Sequence, residues 1–212
     1  MHARLVLLGL LAAGCSTGAT APPATDTGPL GASAGLYRLP YADGISVKVF
    51  DDFNSHRAIG RIDFFATGDK RPFSVVAAAS GRIAAIQDTY TEQQSGRAAK
   101  DCRNNYVWIE HPNGEWSNYA HLATSSVTGL AGLKVGDSVK AGQFIGHEAA
   151  VGCAMLDHVH FEIARPVPSV AIDEGGFLTD NANSQRERHP RFCTVEGDFV
   201  RKDSVYIAGP CR

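Results

Sequence analysis

Three observations predict a mostly β fold, an antiparallel β-sheet domain with short connections. Between Gly35 and Ile163 the chain breaks into short apolar or alternating runs of strand length. Turn-forming residues separate them: Gly81, Pro112-Asn113-Gly114, Gly136-Asp137 and Gly142. No long stretch carries a sustained helical period.

The elements follow in order. ISVKVF (45–50) and RIDFFA (61–66) alternate as half-buried strands do, and the second carries Asp63 into an apolar run. FSVVAAA (73–79) and RIAAIQDTY (82–90) are apolar strands parted at Gly81. YVWIEH (106–111) and WSNYAHL (116–122) flank the Pro-Asn-Gly turn, and QFIGHEA (143–149) follows Gly142. LKVGDSVKAGQFIG (133–146) reads as a β-turn-β unit like a lipoyl hairpin, but without the lysine at a hairpin tip that a carrier module needs. HVHFEIA (158–164) is the last strand of this set, ended by Pro166 and Pro168. Beyond it NANSQRERHPRF (181–192) reads as a polar surface loop, and FVRKDSVYIAG (199–209) as a returning strand.

The N-terminus carries Arg4, the apolar run LVLLGLLAAG and then Cys15. That run is too short to span a bilayer and fits a secretory signal. Ala12-Ala13-Gly14-Cys15 has the small-residue pattern of a lipoprotein cleavage site, so the expected mature chain begins at a lipidated Cys15. By resemblance to enterobacterial lipoproteins, Ser16 rather than Asp after the cysteine implies the outer membrane, in a cell that has one. The expected organisation is a signal peptide over 1–14, a flexible tether rich in Pro, Gly and small polar residues over 15–34, and a domain over 35–168 with a C-terminal extension, 169–212, in the same unit. The result is a periplasm-facing lipoprotein of the cell envelope. A net charge of -2 provides no electropositive groove for nucleic acid. The sequence does not set an oligomeric state.

Apart from Cys15 the cysteines are Cys102, Cys153, Cys193 and Cys211, an even number in an exported chain, which favours two disulfides. None forms a Cys-x-x-Cys pair, so a cysteine zinc site is not expected. Of the three possible pairings, proximity in sequence favours Cys193 with Cys211, leaving Cys102 with Cys153.

His158 and His160 are two apart in a strand, so their imidazoles share a face. Burying two such rings for packing alone is costly, since each needs hydrogen-bond partners. Two upstream segments supply further candidates: NYAHL (118–122) with His121, and SHRAIGRIDF (55–64) with His56 and Asp63. A zinc site for catalysis needs three imidazole or carboxylate ligands and one open position. His111, ahead of the turn, reads as a solvent-facing histidine, and nothing in the spacing of His147 demands a role. His189 falls in the polar loop. Asp157 precedes the histidine pair and points to the other face, as a turn or supporting carboxylate. Tyr119 is read as core, although it is spaced to share the face of His121.

Set in order, His56 and Asp63, Tyr119-Ala120-His121-Leu122, and His158-Val159-His160-Phe161-Glu162 resemble the motifs of the lysostaphin-type, LytM-like zinc endopeptidases of peptidoglycan. The likeness runs over about 47–165. The resemblance implies a Zn²⁺ ion on His56, Asp63 and His160, His121 and His158 as the acid-base pair, and cell-wall peptides as substrate. One position departs from the pattern: four residues before Asp63 stands Ile59, which cannot bind a metal, whereas His56 lies seven before it. The beta-lytic, staphylolysin-like branch is similar in this wider spacing and in having two disulfides. A second function of another class is a non-catalytic adaptor of the same fold that activates a wall amidase, which requires His56 to be a false match.

Lipid anchoring is directly testable. Cys15→Ser is expected to release the chain into the soluble fraction or leave the signal uncleaved, read by fractionation and by mass spectrometry of the N-terminus.

Overall fold

Alternation along the chain decides which side chains are hidden. In the strand Arg61–Thr67 every second residue, Ile62, Phe64 and Ala66, is buried, while Arg61, Asp63 and Phe65 are only partly covered. A pleated strand turns successive side chains to opposite faces, so one face of this strand builds core and the other builds a site. The computed structural model describes residues 31–57, 60–69, 71–94, 102–166, 171–179 and 186–212. The signal segment, most of the tether, Ile59, Pro168 and residues 181–185 lie outside them.

Among the described residues the strands are β1 (Ala32–Tyr37), β2 (Ser46–Asp51), β3 (Arg61–Thr67), β4 (Ser74–Val76), β5 (Gly81–Gln87), β6 (Tyr106–Glu110), β7 (Trp116–Ala120), β8 (Ser138–Val139), β9 (Phe144–His147), β10 (Val159–Ala164), β11 (Glu187–Phe192) and β12 (Val205–Ile207). One π-helical turn, Ser126–Leu130, interrupts them. A ten-stranded sheet runs β12-β2-β3-β10-β7-β6-β5-β8, with β11 paired to β10 and to β1; β4 and β9 form a separate two-stranded sheet. Every pairing is antiparallel except β1 with β11. Residues from both sheets, including Val47, Ile62, Phe64, Val75, Tyr119, Ile145, Phe161 and Phe192, form one buried apolar cluster.

The Pro-Asn-Gly turn closes the β6–β7 hairpin: Gly114 takes φ 78, a left-handed conformation that glycine adopts without strain, and Asn113 Oδ1 accepts the Glu115 amide at 3.0 Å. Both disulfides join the expected partners, Cys102 with Cys153 and Cys193 with Cys211.

Three expectations are corrected. The segment 133–146 is not a hairpin: β8 pairs with β5 and β9 with β4, each half being taken by a different neighbour. Residues 187–192 of the polar stretch are a strand, β11, whose Arg188, Pro190 and Phe192 are buried. Its burial alternates but its polarity does not, because the buried face includes the charged Arg188, so the sequence carries no strand pattern. The first strand begins at Ala32, inside the stretch read as tether, because the Ala34 and Gly35 amides donate to the Glu115 carboxylate at 2.7 and 2.9 Å.

Phe161 is the centre of the core. It lies on β10 between β3 and β7, fully buried, with ring centroids 5.3 Å from Tyr119, 5.8 Å from Phe192 and 6.0 Å from Phe64. Phe161→Ala is expected to cost about 3–5 kcal/mol, measured by urea denaturation.

Candidate metal centre and its cleft

The pairing of β10 with β3 sets His160 directly opposite Asp63. Partners of this kind hold their side chains within reach of each other, and His160 Nδ1 lies 3.1 Å from Asp63 Oδ1. His56 arrives from the β2–β3 connection. There Asp52 Oδ1 accepts the amides of Asn54 and Ser55 at 3.1 and 2.9 Å, and the Asp52 carbonyl accepts the His56 amide at 3.0 Å. That turn brings His56 Nε2 to 3.5 Å from Asp63 Oδ2. One donor atom from each of His56, Asp63 and His160 lies within 4.8 Å of the others.

His158 and His160 do share a face: His158 Nε2 is 3.7 Å from the same Asp63 oxygen. His121 reaches the cluster by another route. β7 ends at Ala120, which sits opposite His160, and His121 takes φ 64, uncommon for a residue with a side chain. This turn breaks the strand alternation. Tyr119 therefore stays in the core, its hydroxyl accepting the Ala78 amide at 2.6 Å, while the His121 ring comes to 4.6 Å from that of His158.

The two rings are fixed alike. His121 Nδ1 lies 2.8 Å from the Val151 carbonyl and His158 Nδ1 lies 2.8 Å from the Leu156 carbonyl. A carbonyl only accepts, so in each neutral ring Nδ1 carries the proton and Nε2 keeps its lone pair. His160 is under-satisfied: its Nε2 is buried without a partner, and its Nδ1 faces Asp63. Whichever nitrogen carries the proton, one imidazole lone pair is left without a donor, as expected of a ring that serves a cation.

Burial and the ring of imidazoles set the charges. Burial alone would raise the Asp63 carboxyl, but the His160 hydrogen bond and the charges of His160, His158 and His56 outweigh it and hold it well below the usual carboxylate range. Burial pushes His160 down to about 4 despite Asp63. Burial, then the neighbouring His158 and His160, push His121 well below the usual histidine range. His121 and His160 are thus neutral at neutral pH.

A cleft of about 560 Å³ opens onto these residues. Phe65, two after Asp63 and on its face, stacks on His158 at 5.1 Å. Phe177, from the segment after β10, sets its ring edge-on to His160 at 5.3 Å, and Arg61 lies 3.9 Å above Phe177 while pairing with the buried Glu162 at 3.0 Å. The segment is anchored through the Gly176 carbonyl, which accepts from Trp108 Nε1 and Asn118 Nδ2, each at 2.9 Å. Sequence reasoning missed these residues. Phe65 had a signal in its spacing from Asp63, but Phe177 had none, because its place depends on a tertiary contact.

Other candidates fall elsewhere. His111 is buried rather than solvent-facing, its ring nitrogens 3.0 Å from the Ser80 carbonyl and 2.9 Å from Ser117 Oγ, a satisfied core histidine. His147 lies on β9 with Nδ1 3.3 Å from the Phe73 carbonyl. His189 lies on β11, stacked on Phe53 at 4.2 Å. Asp157 pairs with Arg71 at 2.7 Å.

Among the described residues, one cluster of two imidazoles and one carboxylate has the donor chemistry to hold a metal ion, and it opens onto a cleft that holds two more imidazoles. The model of Peptidase family M23 matches residues 58–173, and the chain belongs to that family. His56 lies just before the matched span. Solved structures similar to it include a putative M23 peptidase from Pseudomonas aeruginosa (21% identity, TM-score 0.42, 64% of this chain and 48% of that one). Two more are the antimicrobial peptidase lysostaphin from Staphylococcus simulans (21%, 0.42, 65% and 48%) and a zinc-containing peptidase from Vibrio cholerae (21%, 0.38, 63% and 35%). The chain thus spans half or less of the length of these three. No curated protein matches it.

One buried acid beside the site titrates near neutrality. Glu148 bridges to Leu122, next to His121, and burial pushes its carboxyl from 4.5 up to about 7, against the hydrogen bond from Tyr41. Tyr41 Oη lies 2.8 Å from the Phe64 carbonyl and 2.6 Å from Glu148 Oε2. One hydroxyl proton serves only one of them, so a proton on Glu148 satisfies the other. The unfolded chain loses this proton near pH 4.5 and the folded chain near pH 7. The resulting stabilisation, of order 3 kcal/mol, is complete below the first value and lost as pH rises to the second. Glu148→Gln is expected to flatten unfolding stability across that window, measured by denaturant titration at several pH values.

Proposed function

We propose that this protein is a zinc-dependent endopeptidase that hydrolyses peptide bonds of peptidoglycan, in stem cross-links or bridges. The observation that carries the reading is the convergence of His56, Asp63 and His160 within 4.8 Å, from the β2–β3 connection, β3 and the sequence-distant β10, at a cleft that also holds His121 and His158. These three residues would hold the ion. Two imidazoles and a carboxylate suit zinc, and the unanswered lone pair of His160 fits a metal site. When bound, zinc supplies Lewis-acid polarisation of the scissile carbonyl and makes a water reactive near neutral pH.

The protein's own groups do the rest. The sequence leaves His121 and His158 as a pair. We assign proton uptake to His121, which burial keeps neutral with Nε2 unprotonated, and stabilisation of the developing oxyanion to His158, which becomes a donor there once its Nε2 carries a proton. The backbone carbonyls of Val151 and Leu156 orient both rings, Phe65 covers a flank of His158 and Phe177 covers a flank of His160.

The same proposal includes the envelope setting: a signal over 1–14, a lipid on Cys15 at the outer membrane facing the periplasm, a tether, and a metallopeptidase domain that starts with the strand at Ala32 rather than at 35 and is continued past 168 by 169–212. His56 seven residues before Asp63, on a turn rather than on the strand, and the two disulfides favour the beta-lytic branch. The adaptor reading requires His56 to stand away from the cluster, and the 3.5 Å from its Nε2 to Asp63 favours the enzyme.

The test uses the mature chain in detergent. His56→Ala and His160→Ala are each expected to lose zinc, measured by elemental analysis. His121→Ala and His158→Ala should keep zinc and lose about 10²- to 10⁴-fold in the release of peptide-cleaved fragments from sacculi, identified by mass. Zinc-loaded wild type that releases no such fragments while stimulating an amidase would establish the adaptor instead.

A further inference from the structure

One wall of the cleft is made of large apolar side chains left in the open. Phe50 is 52%, Met155 85% and Leu156 63% exposed, and all three line the cleft together with Phe65. Each side chain of this size forgoes about 1.5–3 kcal/mol by not being buried, so a cluster of them marks a contact surface.

The wall is held in place. Cys153 is bridged to Cys102, and its amide donates to Asn104 Oδ1 at 3.1 Å. Gln93 Nε2 donates to the carbonyls of Ala154 and Met155 at 2.7 and 3.0 Å, and the Leu156 carbonyl holds His158 Nδ1. Gly152, at φ 88, sits so close to Asn104 that a Cβ would collide with the amide. Met155 and Leu156 therefore cannot fold away into the core. Phe50 packs on Phe65 at 5.3 Å and Phe65 stacks on His158, so the apolar wall is continuous with a ring of the site itself.

Charge narrows the occupant. Asp63, the one carboxylate among the lining residues, belongs to the metal cluster; Arg61 is paired with Glu162 at 3.0 Å, Lys202 beside Phe50 is paired with Asp51 at 2.6 Å, and Arg57 also lines the cleft. A cationic side chain would meet Arg57 and find no carboxylate on the lining outside that cluster, and a glycine would leave the apolar wall wet.

We propose that this wall is the specificity pocket of the cleft, and that it takes a peptide with an uncharged apolar side chain beside the scissile bond in preference to a glycine-only segment. The proposal rests on the peptidase reading for its substrate. It adds the side-chain class, which neither the metal donors nor the acid-base pair determine.

The experiment uses the mature chain in detergent and three peptides of one length with Gly, Leu or Lys beside the scissile bond, each made in both chiralities. Hydrolysis is measured on the zinc-loaded protein and binding, by calorimetry, on the metal-stripped protein. The leucine peptide is expected to exceed the glycine peptide by about 10-fold or more in kcat/KM and to bind more tightly, with the lysine peptide weakest. Met155→Ser/Leu156→Ser should bring leucine and glycine to within about 3-fold. Phe50→Ser, on the other flank, should narrow the gap independently of any shift in the 153–157 loop. Equal binding and cleavage of the glycine and leucine peptides would overturn the pocket while leaving the peptidase intact. Preferred binding of leucine without cleavage of any peptide would keep the pocket and overturn the peptidase.

Discussion

β10 runs between β3 and β7, and its register there governs both the core and the site. Val159, Phe161 and Ile163 face the apolar cluster, so His160 and Glu162 must face the other way, with His160 opposite both Asp63 and Ala120. A slip of one residue would drive His160 and Glu162 into the core and bring Phe161 into the cleft. Taking three side chains that each contribute about 1.5–3 kcal/mol out of the apolar cluster, while moving two ionisable groups away from their polar partners into it, disfavours that alternative by several kcal/mol. The placement of one proposed metal donor against another is thus set by hydrophobic packing on the far side of the sheet.

That placement gathers polar groups which would not associate on their own account. Burial opposes the charge on Asp63, His121 and His160, and the neighbouring rings add to that opposition at His121 and His160. The cluster persists because surrounding groups over-determine it. Val151 and Leu156 carbonyls hold two rings, Phe177 and Phe65 brace two flanks, and the Arg61–Glu162 pair neutralises the adjoining position on the same face. A divalent cation among the donors would relieve the opposition, since it is attracted to the carboxylate and needs neutral imidazoles.

Much of this was legible in residue spacing. The alternation of RIDFFA and the His158–Val159–His160 pair had a fixed meaning once a strand was assumed, because period two leaves a side chain only two directions. His121 shows where that reasoning stops. Its spacing from Tyr119 predicts a shared face, and the positive φ that separates them is a tertiary outcome with no mark in the local sequence. His111 failed for the converse reason. It stands beside an exposed-looking turn, yet Tyr37 and Ser117 from other strands enclose it. β11 was unreadable because its partners, β1 and β10, are distant in the chain, and only their pairing makes a strand of a polar, proline-containing stretch.

Three different departures from local rules meet at the cleft. His121 adopts a backbone conformation that its side chain disfavours, His160 leaves a buried nitrogen unanswered, and Met155 and Leu156 stand in solvent on a tightly tied loop. Single departures lie elsewhere, such as the positive φ of Ser125, Asp198 and Asp203 and the exposed Leu130 and Val135. Stability alone would favour removing those at the cleft, by a glycine at position 121 or polar residues at 155 and 156. A strained backbone, an orphaned buried nitrogen and an exposed apolar pair lining one cleft are what a site maintained for chemistry is expected to show.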